Sequence, residues 1–122
     1  MQRSNLGNFY EDFETGETIE HELSKTIFES DNNIFSLLTM NHHPLHTNSE
    51  YAKETIFNKP LVVGTLVFSL AVGITVPDIS GKAIANLGYE EITHLKPVFV
   101  GDTISVRTEI LSKRESNKRP HN

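Results

Sequence analysis

One stretch of the chain, residues 39–52, holds most of the side chains that could do chemistry. It contains His42, His43 and His46 around a proline, Pro44, together with two asparagines. An imidazole titrates near neutral pH, so it can both accept and donate a proton. His46 lies between the proline turn and a helix start, and we predict that it is an acid–base catalyst. For His43 the sequence favours a catalytic role and a backbone-capping role equally, whereas His42 is predicted to be a cap only.

Metal binding is an alternative role for the same histidines, because His42 and His46 have the four-residue spacing of a helical zinc pair. Pro44 lies between them and disfavours a continuous helix, and no Asp or Glu falls within the turn. We therefore predict that there is no metal site. Three further histidines are isolated in the sequence and are expected at the surface: His21, His94 and His121.

A second group with useful chemistry is Gly64, near the start of the apolar segment 61–76. A glycine N–H at the start of a helix can polarise a carbonyl oxygen. The segment is interrupted by glycine, serine and threonine, and it is shorter than the roughly 20 residues that a membrane-spanning helix needs. We predict a buried helix over residues 61–75 and no membrane partner.

The composition is that of one globular domain, with 122 residues, 37% of them hydrophobic, and a net charge of −5. The acidic balance disfavours nucleic acid as a partner. The absence of cysteine excludes a disulfide scaffold and a thiol nucleophile. The first residues lack the apolar core of a signal peptide, so we expect a cytoplasmic protein.

Hydrophobic periodicity and capping signals predict the elements that must position these residues. Residues 47–50 (Thr-Asn-Ser-Glu) match a capping box with Thr47 as the cap. Together the patterns predict strands over residues 18–28, 83–93 and 103–111, and helices over residues 29–40, 47–54 and 61–75. They indicate an α+β domain in which a bent sheet encloses the apolar helix. Three strands can hardly cover such a helix, so we expect a partner chain or further sequence to complete the sheet.

Several segments resemble the MaoC-like dehydratases. Residues 41–46 (Asn-His-His-Pro-Leu-His) followed by Ala52 are similar to the hydratase signature of that family, which reads Asp-x-Asn-Pro-aliphatic-His and then, after five residues, Ala or Ser. Residues 58–66, 85–91 and 96–103 are similar to later parts of the family. The sequences of these segments are most similar to the branch that contains mesaconyl-CoA hydratase and β-methylmalyl-CoA dehydratase.

The resemblance implies a hot-dog fold, a curved antiparallel sheet wrapped around a central helix, in a homodimer or higher homo-oligomer. It implies reversible hydration of a 2-enoyl-CoA thioester, such as a mesaconyl-CoA-like or other short acyl-CoA, with no cofactor beyond the coenzyme A of the substrate. By position, His46 is the acid–base group, Asn41 orients water and the Gly64 amide holds the thioester oxygen. The residues then expected to contact substrate are His43, Pro44, Leu45, Val63 and Thr65.

The chain departs from the family pattern in two ways. The Asp of the signature is Asn41 here, which can bind a water but cannot accept its proton, and the Asn of the signature is His43. Members of the family continue with further strands, so we expect residues 1–122 to be a single hot-dog domain that lacks C-terminal strands. Two alternatives stay open: a non-catalytic acyl-thioester binding or assembly module, and a hot-dog thioesterase.

Overall fold

The computed structural model describes residues 7–115. Their contacts divide into two compact units. The first unit contains the described residues up to Ser24, the segment Val72–Glu90 and the described residues from Ser105 onwards. The second unit contains Lys25–Ala71 and Glu91–Ile104. All the residues that the sequence predicts for the site belong to the second unit.

The described residues form two strands and four α-helices. In chain order these are β1 (Thr18–Thr26), α1 (Glu29–Leu38), α2 (Pro44–Thr47), α3 (Ser49–Lys53), α4 (Gly64–Thr75) and β2 (Thr103–Glu109). The two strands are paired. Thr26 contacts Thr103 and His21 contacts Thr108, each pair 2.7 Å apart, so the strands run antiparallel. The predicted α+β class with an antiparallel sheet is confirmed.

The strand β2 has the alternation that its sequence predicted. Ile104, Val106 and Thr108 are half-buried, and the residues between them are exposed. In β1 the buried residues are Ile19 and His21. The strand pattern therefore identifies β2, which ends at Glu109 and not at residue 111 as predicted, but it misses a buried histidine in β1.

His21 is a correction to the surface position that the sequence predicted. Its side chain is buried, with Nδ1 2.7 Å from Asp78 Oδ2 and Nε2 2.7 Å from Thr108 Oγ1. The Asp78 carbonyl accepts a 2.6 Å hydrogen bond from the side-chain amide of Asn8. Both ring nitrogens are thus paired, which is the usual condition for burying a polar side chain. His94 is exposed as predicted, and His121 lies outside the described residues.

The predicted strand over residues 83–93 is wrong. These residues form no strand in the described part of the chain, and every one of them is exposed. A strand needs a neighbour that pairs with its backbone N–H and C=O groups. Among the described strands, β1 and β2 pair only with each other. The composition of residues 83–93 therefore favoured a strand that pairs with neither described strand.

Helix α4 begins three residues later than predicted, at Gly64 rather than Leu61. Leu61 forms an antiparallel bridge with Phe99, and the Val62 N–H donates to the Val98 carbonyl at 2.9 Å. These pairings hold the residues before the helix in an extended conformation. The helix is also less enclosed than predicted, since Ile74 is its one buried residue.

The start of α1 is fixed by Asp31. Its Oδ2 atom accepts hydrogen bonds from the Phe28 N–H at 2.8 Å and from Lys25 Nζ at 2.9 Å. The backbone hydrogen bond from Phe28, and then the hydrogen bond from Lys25, hold the pKa of Asp31 below its ordinary value of 3.8. A carboxylate at this position also interacts favourably with the positive end of the helix dipole.

The lowered pKa of Asp31 predicts an acid-sensitive contribution to stability. The contribution is fully present above pH 3.8 and is lost as the pH falls through the lower pKa of the folded state, because the unfolded carboxylate takes up its proton first. Asp31→Asn keeps an acceptor for Phe28 but loses the charge, and we expect it to cost about 1 kcal/mol or less at neutral pH. Urea unfolding of both proteins across this pH range measures the difference, and a difference that does not change with pH would contradict the assignment.

Candidate active site

The turn after α1 places Asn41. The Met40 N–H donates to the Leu37 carbonyl and the Asn41 N–H to the Ser36 carbonyl, and Met40 has a positive φ of 62°. This is the Schellman arrangement, in which glycine usually occupies the left-handed position. The Oδ1 atom of Asn41 accepts a 3.3 Å hydrogen bond from the His43 N–H. The oxygen of Asn41 is therefore used in the turn, and its side-chain N–H groups remain as donors.

His43 caps the short helix α2. Its Nδ1 accepts a 3.1 Å hydrogen bond from the Leu45 N–H, and Pro44 occupies the first helical position, where a missing N–H costs nothing. The His43 ring is exposed and lies edge-on to the rings of His46 and Tyr51, with centroids 6.2 and 5.8 Å apart. The sequence supported a catalytic role and a capping role for His43 equally, and in the structure His43 is a helix cap.

The cap of the next helix differs from the prediction. Thr47 is the last residue of α2, and Asn48 caps α3 by accepting from the N–H groups of Glu50 and Tyr51 at 3.0 and 3.1 Å. Both residues are good caps by type, so the sequence alone did not separate them.

His46 has one ring nitrogen engaged and one available. Its Nδ1 lies 2.8 Å from the Leu61 carbonyl oxygen. A carbonyl can only accept, so Nδ1 carries the proton and Nε2 of the neutral ring holds an unshared electron pair. No described residue forms a hydrogen bond with Nε2. This tautomer is the one that a general base requires, because Nε2 can take a proton directly.

His46 is half-buried and lines a cavity of about 280 Å³. The lining is mixed in character, with a carboxylate from Glu29, an ammonium from Lys59 and the apolar side chain of Val100. Lys59 Nζ also lies 4.4 Å above the centre of the Phe99 ring. Of the residues predicted for the site, His46 alone lines this cavity.

Sequence reasoning missed Asn32, which holds His46 in place. Asn32 is only 1% exposed. Its Nδ2 donates to the carbonyls of His46 and Leu61 at 3.0 and 3.1 Å, and its Oδ1 accepts from the Val63 N–H at 3.0 Å. Asn32 and the also buried Ser36 are four residues apart on α1, which places them on one face. That polar pair was the signal available in the sequence.

Gly64 begins α4 with an N–H that no described residue accepts. Its Cα faces the His94 ring, and a Cβ atom built there would lie 3.0 Å from His94 Nε2. Gly64 and His94 line a second cavity, of about 390 Å³, together with Lys96. The structure therefore does not place Gly64 in the cavity that His46 lines.

The remaining predicted residues occupy varied positions. Val63 is buried and bonded to Asn32, Pro44 and Leu45 are half-buried, and Thr65 is exposed on α4. The Leu45 carbonyl accepts from the Leu61 N–H at 3.1 Å. Thus the segment around His46 and the segment leading to Gly64 are joined by backbone and side-chain hydrogen bonds.

Within residues 7–115, no group of three or more histidine, aspartate or glutamate side chains could hold a metal ion. No helix in this part of the chain is long and apolar enough to cross a membrane.

Comparison with known proteins places the chain in a family. Residues 12–122 match the family model described as MaoC like domain. The chain belongs to the MaoC-like family. It is 36% identical over 115 residues to mesaconyl-CoA hydratase of Cereibacter sphaeroides, covering 94% of this chain and 34% of that protein. It is also 36% identical over 114 residues to β-methylmalyl-CoA dehydratase of Chloroflexus aurantiacus, covering 93% and 32% of the two chains.

A crystal structure of a MaoC domain protein described as a dehydratase from Chloroflexus aurantiacus has the same fold. It superposes with a TM-score of 0.86 and 35% identity over 96% of this chain and 33% of that one. The predicted MaoC-like family, its branch and the hot-dog fold are confirmed. The chain spans about a third of the length of these relatives.

Proposed function

We propose that this MaoC-like chain catalyses the reversible addition of water to a 2-enoyl-CoA thioester. The observation that carries the proposal is the fixed ring of His46, whose Nδ1 is bound to the Leu61 carbonyl and whose Nε2 is unpaired among the described residues. This histidine occupies the position of the family's signature histidine. The relatives named as hydratase and dehydratase support the same class of reaction.

In the proposed reaction, Nε2 of His46 removes a proton from water while the hydroxyl oxygen bonds to C3 of the substrate. The electron pair of the C2–C3 double bond moves towards the thioester carbonyl, whose oxygen gains negative charge. The N–H of Gly64, which has no acceptor among the described residues, is the donor that the family resemblance assigns to that oxygen, and the proposal requires the substrate to reach both the cavity of His46 and that of Gly64. The proton then returns from His46 to C2, which gives the 3-hydroxyacyl product without any other reactant. Asn41 orients the water through its side-chain N–H groups, which donate to no described residue.

The substrate that we propose is a short, mesaconyl-CoA-like acyl-CoA, and we propose a homodimer or higher oligomer as the active form. Lys59 is the cation of the cavity beside His46, which suits an anionic part of the substrate, either an acyl carboxylate or a coenzyme A phosphate. Exposed apolar side chains on α1, including Leu37 at 67% and Leu38 at 78%, are consistent with coverage by a second copy.

A second candidate function is favoured by Asn41. This residue replaces the signature's carboxylate, and a carboxamide is too weak a base to accept a proton from water; its oxygen also accepts from the His43 N–H. A chain that kept the fold and lost this group would be a non-catalytic module that binds acyl thioesters.

Replacing His46 by Gln should lower kcat/KM for enoyl-CoA hydration by about 10²- to 10⁴-fold, because the amide can donate to Leu61 but cannot take a proton. The measurement is loss of enoyl thioester absorbance with a panel of 2-enoyl-CoAs, alongside circular dichroism to verify folding. His42→Gln is the matched control, since His42 is exposed and outside the network. Equal rates for wild type and His46→Gln would refute the role of His46, and release of free coenzyme A would reveal a thioesterase.

Gly64→Pro tests the oxyanion donor separately from the acid–base group. Proline at the first position of a helix is tolerated but removes the N–H, so kcat should fall by about 10²- to 10³-fold. Gly64→Ala is the control because it adds the same Cβ beside His94 and keeps the N–H. If both variants lose the same activity, the cause is crowding at His94 and the amide has no catalytic role.

Asn41→Asp distinguishes the enzyme from the binding module. If the chain is a hydratase that works with asparagine, the wild type turns over enoyl-CoA and the variant changes the rate at most moderately. If the wild type is inactive and only Asn41→Asp gains hydration activity, the chain is a binding module. Isothermal titration with a non-hydratable saturated acyl-CoA shows that both proteins still bind thioester.

A further inference from the structure

We infer that Asn32 is a positioning residue for the proposed hydration: it fixes the tautomer and direction of the His46 ring. The inference rests on the proposed function for its catalytic consequence. The geometry behind it is independent of that function, because it consists of hydrogen bonds made by one buried side chain to backbone groups of residues 46, 61 and 63.

The carboxamide of Asn32 uses its full set of donors. One Nδ2 hydrogen goes to the His46 carbonyl and the other to the Leu61 carbonyl, while Oδ1 receives the Val63 N–H. No other uncharged side chain of this size carries two donors and an acceptor. A carboxylate would present an oxygen to two carbonyl oxygens. An aliphatic side chain would leave the His46 carbonyl and the Val63 N–H without this partner and would remove one of the two hydrogen bonds to the Leu61 carbonyl.

Asn32 acts on the proposed catalytic ring of His46 through the Leu61 carbonyl. This oxygen accepts both from Asn32 Nδ2 at 3.1 Å and from His46 Nδ1 at 2.8 Å. A carbonyl oxygen has two lone pairs, so the two bonds use its capacity and fix its direction. Asn32 also holds the backbone of His46 itself. The histidine ring and its acceptor are thus attached to the same rigid group on α1.

The test uses the whole chain labelled with ¹⁵N, with His46 signals identified by their loss in His46→Gln. At about pH 8.5, where an ordinary histidine is neutral, we expect wild-type His46 to show a protonated Nδ1 and an unprotonated Nε2. Asn32→Asp should convert this to a mixture of tautomers. In the hydratase assay the same variant should lose about 10- to 100-fold in kcat, with KM changed by less than about threefold, as expected for a catalytic group displaced by a fraction of an ångström or more.

Ser36→Ala is the matched control. Ser36 is as buried as Asn32 and lies one turn further along α1, but its hydroxyl has no hydrogen-bond partner among the described residues. The substitution should leave both the tautomer and kcat unchanged. A folded Asn32→Asp protein that retains the Nδ1-protonated tautomer and the wild-type kcat would overturn the inference, and so would equal losses in Ser36→Ala.

Two further measurements test the role of Asn32 if the Asn32→Asp variant does not fold. If Asn32→Asp does not fold, Asn32→Ala is used. If neither folds, hydrogen exchange of the wild-type carboxamide protons decides, with Asn33 as the comparison because its side chain bonds to no described residue. Exchange at least about tenfold slower at Asn32 supports the inference, and equal rates contradict it. If the wild type hydrates no enoyl-CoA, the proposed function fails, whereas the tautomer of His46 still decides the role of Asn32.

Discussion

The structure around the candidate site depends on one buried carboxamide. Asn32 joins helix α1 to two places where regular structure ends, the last turn of α2 at His46 and the extended residues before Gly64. Backbone groups buried at such irregular places must find partners, and each one left unpaired costs about 1–3 kcal/mol. A single side chain therefore supplies what a longer strand or helix would otherwise provide.

The helix starts of the second unit are satisfied by different side chains. Asp31 serves α1 with a carboxylate, His43 serves α2 with a ring nitrogen, and Asn48 serves α3 with an amide oxygen. At α4, Asn32 Oδ1 accepts from the N–H of Val63, the residue before the helix, and the N–H of Gly64 itself has no acceptor among the described residues. An unpaired donor at a helix start is unfavourable for stability alone, because such groups are normally capped or hydrated. It is the arrangement that an electron-rich oxygen of a ligand can complete.

Local sequence patterns predicted the parts of the molecule whose conformation depends on interactions between residues close in the sequence. The alternation in β2 and the proline turn that presents His46 both depend on residues a few positions apart. The sequence failed where a distant partner decides. His21 is isolated in the sequence, yet it is buried because Asp78 and another strand reach it. Residues 83–93 were predicted to form a strand, but neither of the described strands pairs with them. Asn32 was missed because its three partners lie 14 to 31 residues further along the chain.

The Leu61 carbonyl accepts two hydrogen bonds, and this has a consequence for proton transfer to and from His46. The ring is held through Nδ1, which carries a hydrogen in the neutral and in the charged form alike. Gaining a proton at Nε2 therefore requires no rotation of the ring and breaks no existing hydrogen bond; it strengthens the bond to Leu61 instead. Little reorganisation accompanies the change of charge. A base held in this way meets the same surroundings when it takes a proton as when it returns one, which suits a reaction that runs near equilibrium in both directions.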